Sequence, residues 1–167
     1  RKLKIPADVL HFDCYWLNDN RWCDLEWNTD RFPEPRQMLE HLSGDGFHSS
    51  LWINPYVSVQ SPMFEEGRAK GFFLKDSSGK VLIRDVWHSL QPECAIIDFT
   101  NKEEIAWFKE KLTRLLDMGV DVFKTDFGED IPVEACYADG SKGGQMHNLY
   151  TLYYNRTVFE LTASLKG

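Results

Sequence analysis

The stretch Val120-Asp121-Val122-Phe123-Lys124-Thr125-Asp126-Phe127-Gly128-Glu129 decides the fold. Its first half is apolar and β-branched, and it breaks off into charged residues beside a glycine. A parallel strand covered on both faces is almost continuously hydrophobic, so Lys124, Asp126 and Glu129 at its end need a reason to be there. The reading is a buried strand that delivers a carboxylate to the rim of a pocket.

Upstream, Met118-Gly119 closes the clearest helix of the chain, in which Ile105, Trp107-Phe108, Leu112 and Leu115-Leu116 recur at helical spacing. Its start reads as a capping box, with Thr100 as N-cap and Glu103 three residues on. Further back the same rhythm repeats. A strand over Val9 to Trp16 is followed by a polar, aromatic loop through Asp30 and by a helix over Arg36 to Leu42. Pro33 and Pro35 open that helix, and Gly44-Asp45-Gly46 stops it. A strand over Ser49 to Asn54 and a helix from Ser61-Pro62 to Lys70 come next. Between Gly71 and Trp87 the pattern predicts an inserted β-hairpin, Phe72-Phe73-Leu74-Lys75 and Val81-Leu82-Ile83-Arg84 around Asp76-Ser77-Ser78-Gly79. The apolar run Cys94 to Asp98 reads as a further strand, and a last helix is expected over Gln145 to Leu165.

Strands alternating with helices and short returns predict an α/β fold with parallel strands, either a doubly wound sheet or part of a (β/α)8 barrel. In both architectures ligands bind at the C-terminal ends of the strands. Polar residues gather there: Asp13, Asn54, Asp98 and Asp126.

The formal net charge of −7 argues against a nucleic-acid backbone as partner, and no apolar stretch reaches the ~20 residues of a membrane span. Four cysteines at 14, 23, 94 and 136 lack CxxC or zinc-ribbon spacing, so reduced thiols in a cytoplasmic enzyme are expected. The start Arg1-Lys2-Leu3-Lys4-Ile5-Pro6 is too polar for a signal segment and does not begin with methionine, as in a piece of something longer. Aromatic residues make up 14% of the chain, and several stand beside acids rather than in apolar runs. Such pairing suits a sugar, because flat rings stack on its faces while carboxylates take its hydroxyls.

Asp126 with Glu129 admits three readings. One is a nucleophilic or acid/base carboxylate. Another is a divalent metal site shared with Asp13. The third is an N-capping Asp beside a solvated Glu. Lys124, two residues back on the same face, keeps Asp126 anionic and would repel a metal. His11 shares a face with Asp13 and reads as a hydrogen-bonded core histidine. Trp22, Trp27 and Trp52 could each wall the pocket; Trp52 is best placed, and Trp27 could serve only to cover a barrel rim. Nucleotide, nicotinamide and serine-esterase motifs are missing from the sequence.

Together these blocks resemble glycoside hydrolase family 31, and within it the α-xylosidase branch. Lys124-Thr125-Asp126-Phe127-Gly128-Glu129 is similar to the family's nucleophile strand. His11-Phe12-Asp13-Cys14-Tyr15-Trp16, Trp22-Cys23-Asp24, Trp52-Ile53-Asn54-Pro55-Tyr56, Ile97-Asp98-Phe99-Thr100 and Met146-His147-Asn148 follow in the family's order. The resemblance implies Asp126 as nucleophile and Glu129 in support. It implies sugar contacts from Asp13 and Lys124, and a xylosidase-type pocket marked by Cys14 and Trp22; Tyr15 and Trp52 are expected among the substrate-binding residues beside them. The Tyr15 position commonly holds Phe in such xylosidases. The implied reaction is retaining hydrolysis of a terminal α-linked sugar through a covalent intermediate on Asp126, without cofactor or metal. The general acid would lie outside this chain.

A whole (β/α)8 barrel needs about 250 residues. Residues 1–167 are therefore expected to form a single segment of the catalytic domain, about strands two to four with their helices and the inserted hairpin, with the barrel incomplete and little activity in isolation. The alternatives are a non-catalytic sugar-binding fragment and an α-glucosidase of the same family. Homo-oligomerisation of the parent enzyme is left open.

Overall fold

The structure is a computed structural model and describes residues 6–86 and 93–167. Arg1 to Ile5 and Trp87, which figure in the readings above, lie outside the described residues. Three parallel strands form the main sheet in the order β1 (Val9–Phe12), β2 (His48–Ile53), β6 (Val122–Thr125). The register aligns Phe12 with Leu51, Leu51 with Phe123, and Trp52 with Lys124. Side chains alternate along a strand, so aligned residues of parallel neighbours share a face. Leu51 and Phe123 are buried on the helix-facing side. His11, Ser50 and Val122 make a row on the opposite face, and the next row up holds Asp13, Trp52 and Lys124. One face therefore builds the core while the other carries the polar residues to the C-terminal rim.

Helices α1 (Pro35–Gly44) and α3 (Lys102–Met118) pack behind this sheet, burying Leu39 from the first and Leu112, Leu115 and Leu116 from the second. The N-cap of α3 is Asn101, whose side chain accepts from Glu103 N and Glu104 N, and not Thr100 as the capping-box spacing predicts. Thr100 is drawn off by Asp98 Oδ1, which accepts from its amide at 2.8 Å and its hydroxyl at 2.7 Å. Gly119, at φ 125°, ends α3 in a conformation that a side chain would strain, and hands over to β6.

Strand β1 stops at Phe12 rather than Trp16, because Asp13 turns the chain by capping a 3-10 turn over Cys14–Trp16. Beyond β2, a second, antiparallel sheet runs in the order β3 (Tyr56–Ser58), β5 (Cys94–Ile96), β4 (Ile83–Arg84). Its β5 is the run expected as one more strand of the parallel set. Continuous apolarity signals burial on both faces and carries no information on direction, so the sequence could not tell the two apart. In place of a regular hairpin, Lys75 and Val81 make a single bridge around Asp76, while Ile83 and Arg84 pair with β5.

Helix α2 (Pro62–Ala69) starts where expected, with the Ser61 hydroxyl accepting from Met63 N. The last helix is broken: α4 (Gly143–Met146) and α5 (Tyr150–Lys166) are separated by a turn. From α5 the Tyr154 hydroxyl donates to Ile53 O and that of Tyr150 to Ile97 O, which ties the helix to both sheets. The closing expectation of three parallel strands with their helices and an insertion therefore matches the described residues, which do not close a barrel. No described helix is long and apolar enough to cross a membrane.

Candidate active site

Asp126 follows directly on β6 and its amide donates to Ile53 O at 2.9 Å, continuing the ladder by one residue. The chain then turns sharply. Phe127 lies at φ 61° and Gly128 at φ 94°, left-handed values that are uncommon for a bulky residue and natural for glycine. A Cβ on Gly128 would also meet Thr151 and Tyr154 at 3.4 Å. The turn is held by Tyr56, whose buried hydroxyl accepts from Gly128 N at 3.0 Å and Asp130 N at 3.2 Å.

Three donors converge on the Asp126 carboxylate. Trp52 Nε1 donates to Oδ2 at 2.7 Å, Lys124 Nζ reaches the same oxygen at 3.1 Å, and Phe127 N meets Oδ1 at 3.2 Å. Partial burial on its own would raise the pKa. The Trp52 and Lys124 hydrogen bonds and the lysine charge outweigh it and hold the carboxyl below its ordinary range. Asp13, on the facing rim, is also held low, chiefly by the Cys14 amide at 2.8 Å and, against some desolvation, by the Lys124 charge. His11 bridges β1 and β2, with Nδ1 3.0 Å from Ser50 Oγ and Nε2 3.4 Å from Asp13 Oδ2; it is hydrogen-bonded as expected but exposed rather than in the core, because β1 is an edge strand of the sheet.

Aromatic rings make the wall between the two carboxylates. Tyr15 packs edge-on to Trp22, Trp22 to Trp52, and Trp52 to Phe127, with centroids 6.0, 6.2 and 6.1 Å apart. Trp22 and Trp52 are buried while Tyr15 is largely exposed, with the Arg31 guanidinium over its ring. Cys14 sits beside Asp13; burial first, then the Asp13 charge, pushes its thiol up to about 11, so it presents a neutral, small surface. All four cysteines are free thiols.

Asp13, Cys14, Tyr15, Trp22, Trp52, Lys124 and Asp126 thus meet at one rim. Glu129 lies on the turn after Asp126 and is exposed. Asp98 and Trp27 do not join them. Asp98 is buried under its bonds to Thr100 and Ala138 N, and Trp27 packs against Phe12, Trp16 and Phe32 within the core. Among the described residues no three His, Cys, Asp or Glu side chains gather at metal-binding geometry, and a lysine ammonium stands beside the carboxylate that would have to be a ligand. Sequence reasoning missed Tyr56 as the holder of the turn, since its side-chain role depends on a contact with Gly128, 72 residues away.

The family model described as glycosyl hydrolases family 31 TIM-barrel domain matches residues 1–167. The chain belongs to glycosyl hydrolase family 31. It is 45% identical over 164 residues to "Alpha-xylosidase XylQ" of Lactiplantibacillus pentosus, covering 98% of this chain and 21% of that protein. Identity to an alpha-xylosidase of Emericella nidulans is 44%, with the same coverage. Among solved structures, a family 31 dextranase of Flavobacterium johnsoniae complexed with glucose superposes with a TM-score of 0.86 at 26% identity, over 96% of this chain and 20% of that one. The chain spans about a fifth of the length of the curated relatives it matches.

Proposed function

We propose that residues 1–167 carry the nucleophile half of a retaining α-glycoside hydrolase acting on a terminal α-xyloside, as a single segment of its catalytic domain. The observation that carries the reading is the set of donors around Asp126: Trp52 and Lys124 keep it an anion at the end of a rigid strand. A glycosyl nucleophile needs that state, together with a fixed approach to the anomeric carbon. Its attack expels the leaving oxygen and forms a glycosyl ester on Asp126, which water then cleaves. Lys124 and Asp13 take hydroxyls of the bound sugar, the rings of Tyr15, Trp22 and Trp52 bound its pocket, and Glu129 supports the turn side of the site.

The proton donor for the leaving group requires a raised pKa, whereas Asp13 and Asp126 are both held low. Asp24 and Glu104, raised to about 6 and about 8 by burial, are shut in the core, and the reading assigns the role to a carboxyl outside residues 1–167. Two relatives named as α-xylosidases, at 45% and 44% identity, support the xyloside over the glucoside, as does the small neutral Cys14 surface beside Asp13. The test is mechanism-based labelling of the full-length parent with a fluorinated α-xylosyl fluoride, followed by peptide mapping. A covalent adduct on Asp126 is expected; a labelled enzyme with its adduct elsewhere would sink the assignment.

A further inference from the structure

Trp22 and Trp52 stand side by side in the wall of the Asp126 pocket but are held in different ways. Trp52 lies on β2 and is fixed by the sheet ladder. Trp22 belongs to the loop between the 3-10 turn and α1, where Leu17 and Trp27 pair across the base and residues 18–26 run through turns without a ladder. Its position therefore depends on what the loop is fastened to.

The fastening is Asn54, at the end of β2. Fully buried, it donates from its side-chain amide to Trp22 O at 2.7 Å and accepts from Tyr56 N through Oδ1 at 2.9 Å. One partner is a carbonyl and the other an N–H, so only a side chain with a donor and an acceptor side by side satisfies both. The main-chain carbonyl of Asn54 in turn accepts from the Cys23 thiol at 2.9 Å. Burial first, then the Asp24 charge, pushes that thiol upward, so it keeps its proton and can donate. Two consecutive loop residues are thus bound to one residue of the strand end.

The same short segment reaches the nucleophile. Trp52, before Asn54, bonds the Asp126 carboxylate, and Tyr56, after it, holds the turn behind Asp126. Asn54 therefore ties the wall to the frame that aims the carboxylate, and it sets the gap between the Trp22 ring and Asp126. An α-glucoside carries a hydroxymethyl group where an α-xyloside has only hydrogen. An apolar wall separates ligands that differ by one carbon by roughly 10- to 200-fold, and displacement of a positioning group by about 1 Å can cost about 100-fold, so such a wall has to be held still.

We infer that Asn54, assisted by the Cys23 thiol, is a positioning residue that sets the preference for xyloside over glucoside by fixing the Trp22 wall, an inference that rests on the glycosidase reading above. The experiment measures kcat and KM of the full-length parent on p-nitrophenyl α-xyloside and p-nitrophenyl α-glucoside, with Asn54→Leu, Cys23→Ala and Cys23→Ser. Asn54→Leu keeps the bulk and removes both hydrogen bonds. Its xyloside-to-glucoside ratio of kcat/KM should fall by about tenfold or more, through a raised KM for the xyloside. Cys23→Ala should lower the ratio less, and Cys23→Ser, which keeps a donor for Asn54 O, should return it close to the parent value. A merely structural role would reduce the amount of active enzyme, which scales both substrates alike and leaves the ratio unmoved. An unchanged ratio in Asn54→Leu and Cys23→Ala overturns the inference; if Asn54→Leu does not fold, the Cys23 pair decides it on the same terms. A wrong nucleophile assignment would appear in the labelling experiment and leave this ratio untouched, because both glycosides would use the same carboxylate.

Discussion

Trp52 Nε1 lies 2.7 Å from Asp126 Oδ2, joining neighbouring strands through a charge-assisted hydrogen bond at the rim of the parallel sheet. The register makes this possible, since Trp52 is level with Lys124 and so faces the same side as Asp126 two residues on. Trp52→Phe keeps an aromatic ring in the wall and removes only the donor. A hydrogen bond to a charged group contributes about 1.5–3 kcal/mol, so kcat/KM of the parent should fall roughly ten- to hundredfold. Unchanged kinetics with an intact fold would show that the indole matters only as packing.

Lys124 serves two carboxylates, bonding Asp126 at 3.1 Å and lowering Asp13 through its charge. Lys124→Met should therefore raise both pKa values, moving the acid limb of the kcat/KM profile to higher pH. Lys124→Arg keeps the charge and should leave the limb near its original position even if the rate falls. A limb that stays put in the Met variant would mean that Trp52 and the Phe127 amide suffice to keep Asp126 ionised. The same depression of the Asp126 pKa adds stability above the unfolded carboxylate value of 3.8 that is lost as pH falls through the lower folded value.

Tyr56 holds the turn that aims Asp126. Replacing it with Phe leaves the amides of Gly128 and Asp130 without their acceptor, at a cost of about 1–3 kcal/mol for a buried unsatisfied group. The expected result in the parent is a lower kcat with a smaller change in KM, and a lower melting temperature. Phe127 at φ 61° depends on this anchor, so hydrogen exchange of the Gly128 amide should accelerate in the variant.

Much of the site was legible because its signals are local. The apolar run ending in Lys124 and Asp126 marks a strand and its rim, and period-two alternation alone places the two side chains on one face. Helix α1 and helix α3 follow from proline, glycine and helical spacing. What escaped was set by distant partners. The direction of Cys94–Ile96 depends on pairing with Tyr56–Ser58 and Ile83–Arg84, and the cap of α3 passed to Asn101 because Asp98 captured Thr100. Asp98 itself looked like one more rim carboxylate; its bonds from Thr100 and from Ala138 N, 40 residues on, hold it in the core instead.

Glu104 should make stability depend on pH in the direction opposite to Asp126. It is fully buried, and desolvation raises its pKa from 4.5 to about 8 against the opposing bonds from Phe73 N and the Asp98 amide. The folded protein therefore holds a proton there that the unfolded chain releases above pH 4.5. The stability tied to that proton is fully present below 4.5 and is lost as pH rises through about 8, with a slope of at most ~1.4 kcal/mol per pH unit in between. Glu104→Gln keeps a carbonyl oxygen for Phe73 N and cannot titrate. Urea midpoints of the parent at pH 5 and pH 8 should therefore fall for the native residue, and the Gln variant should lose less over the same interval. Equal losses in the two proteins would place the titrating group elsewhere.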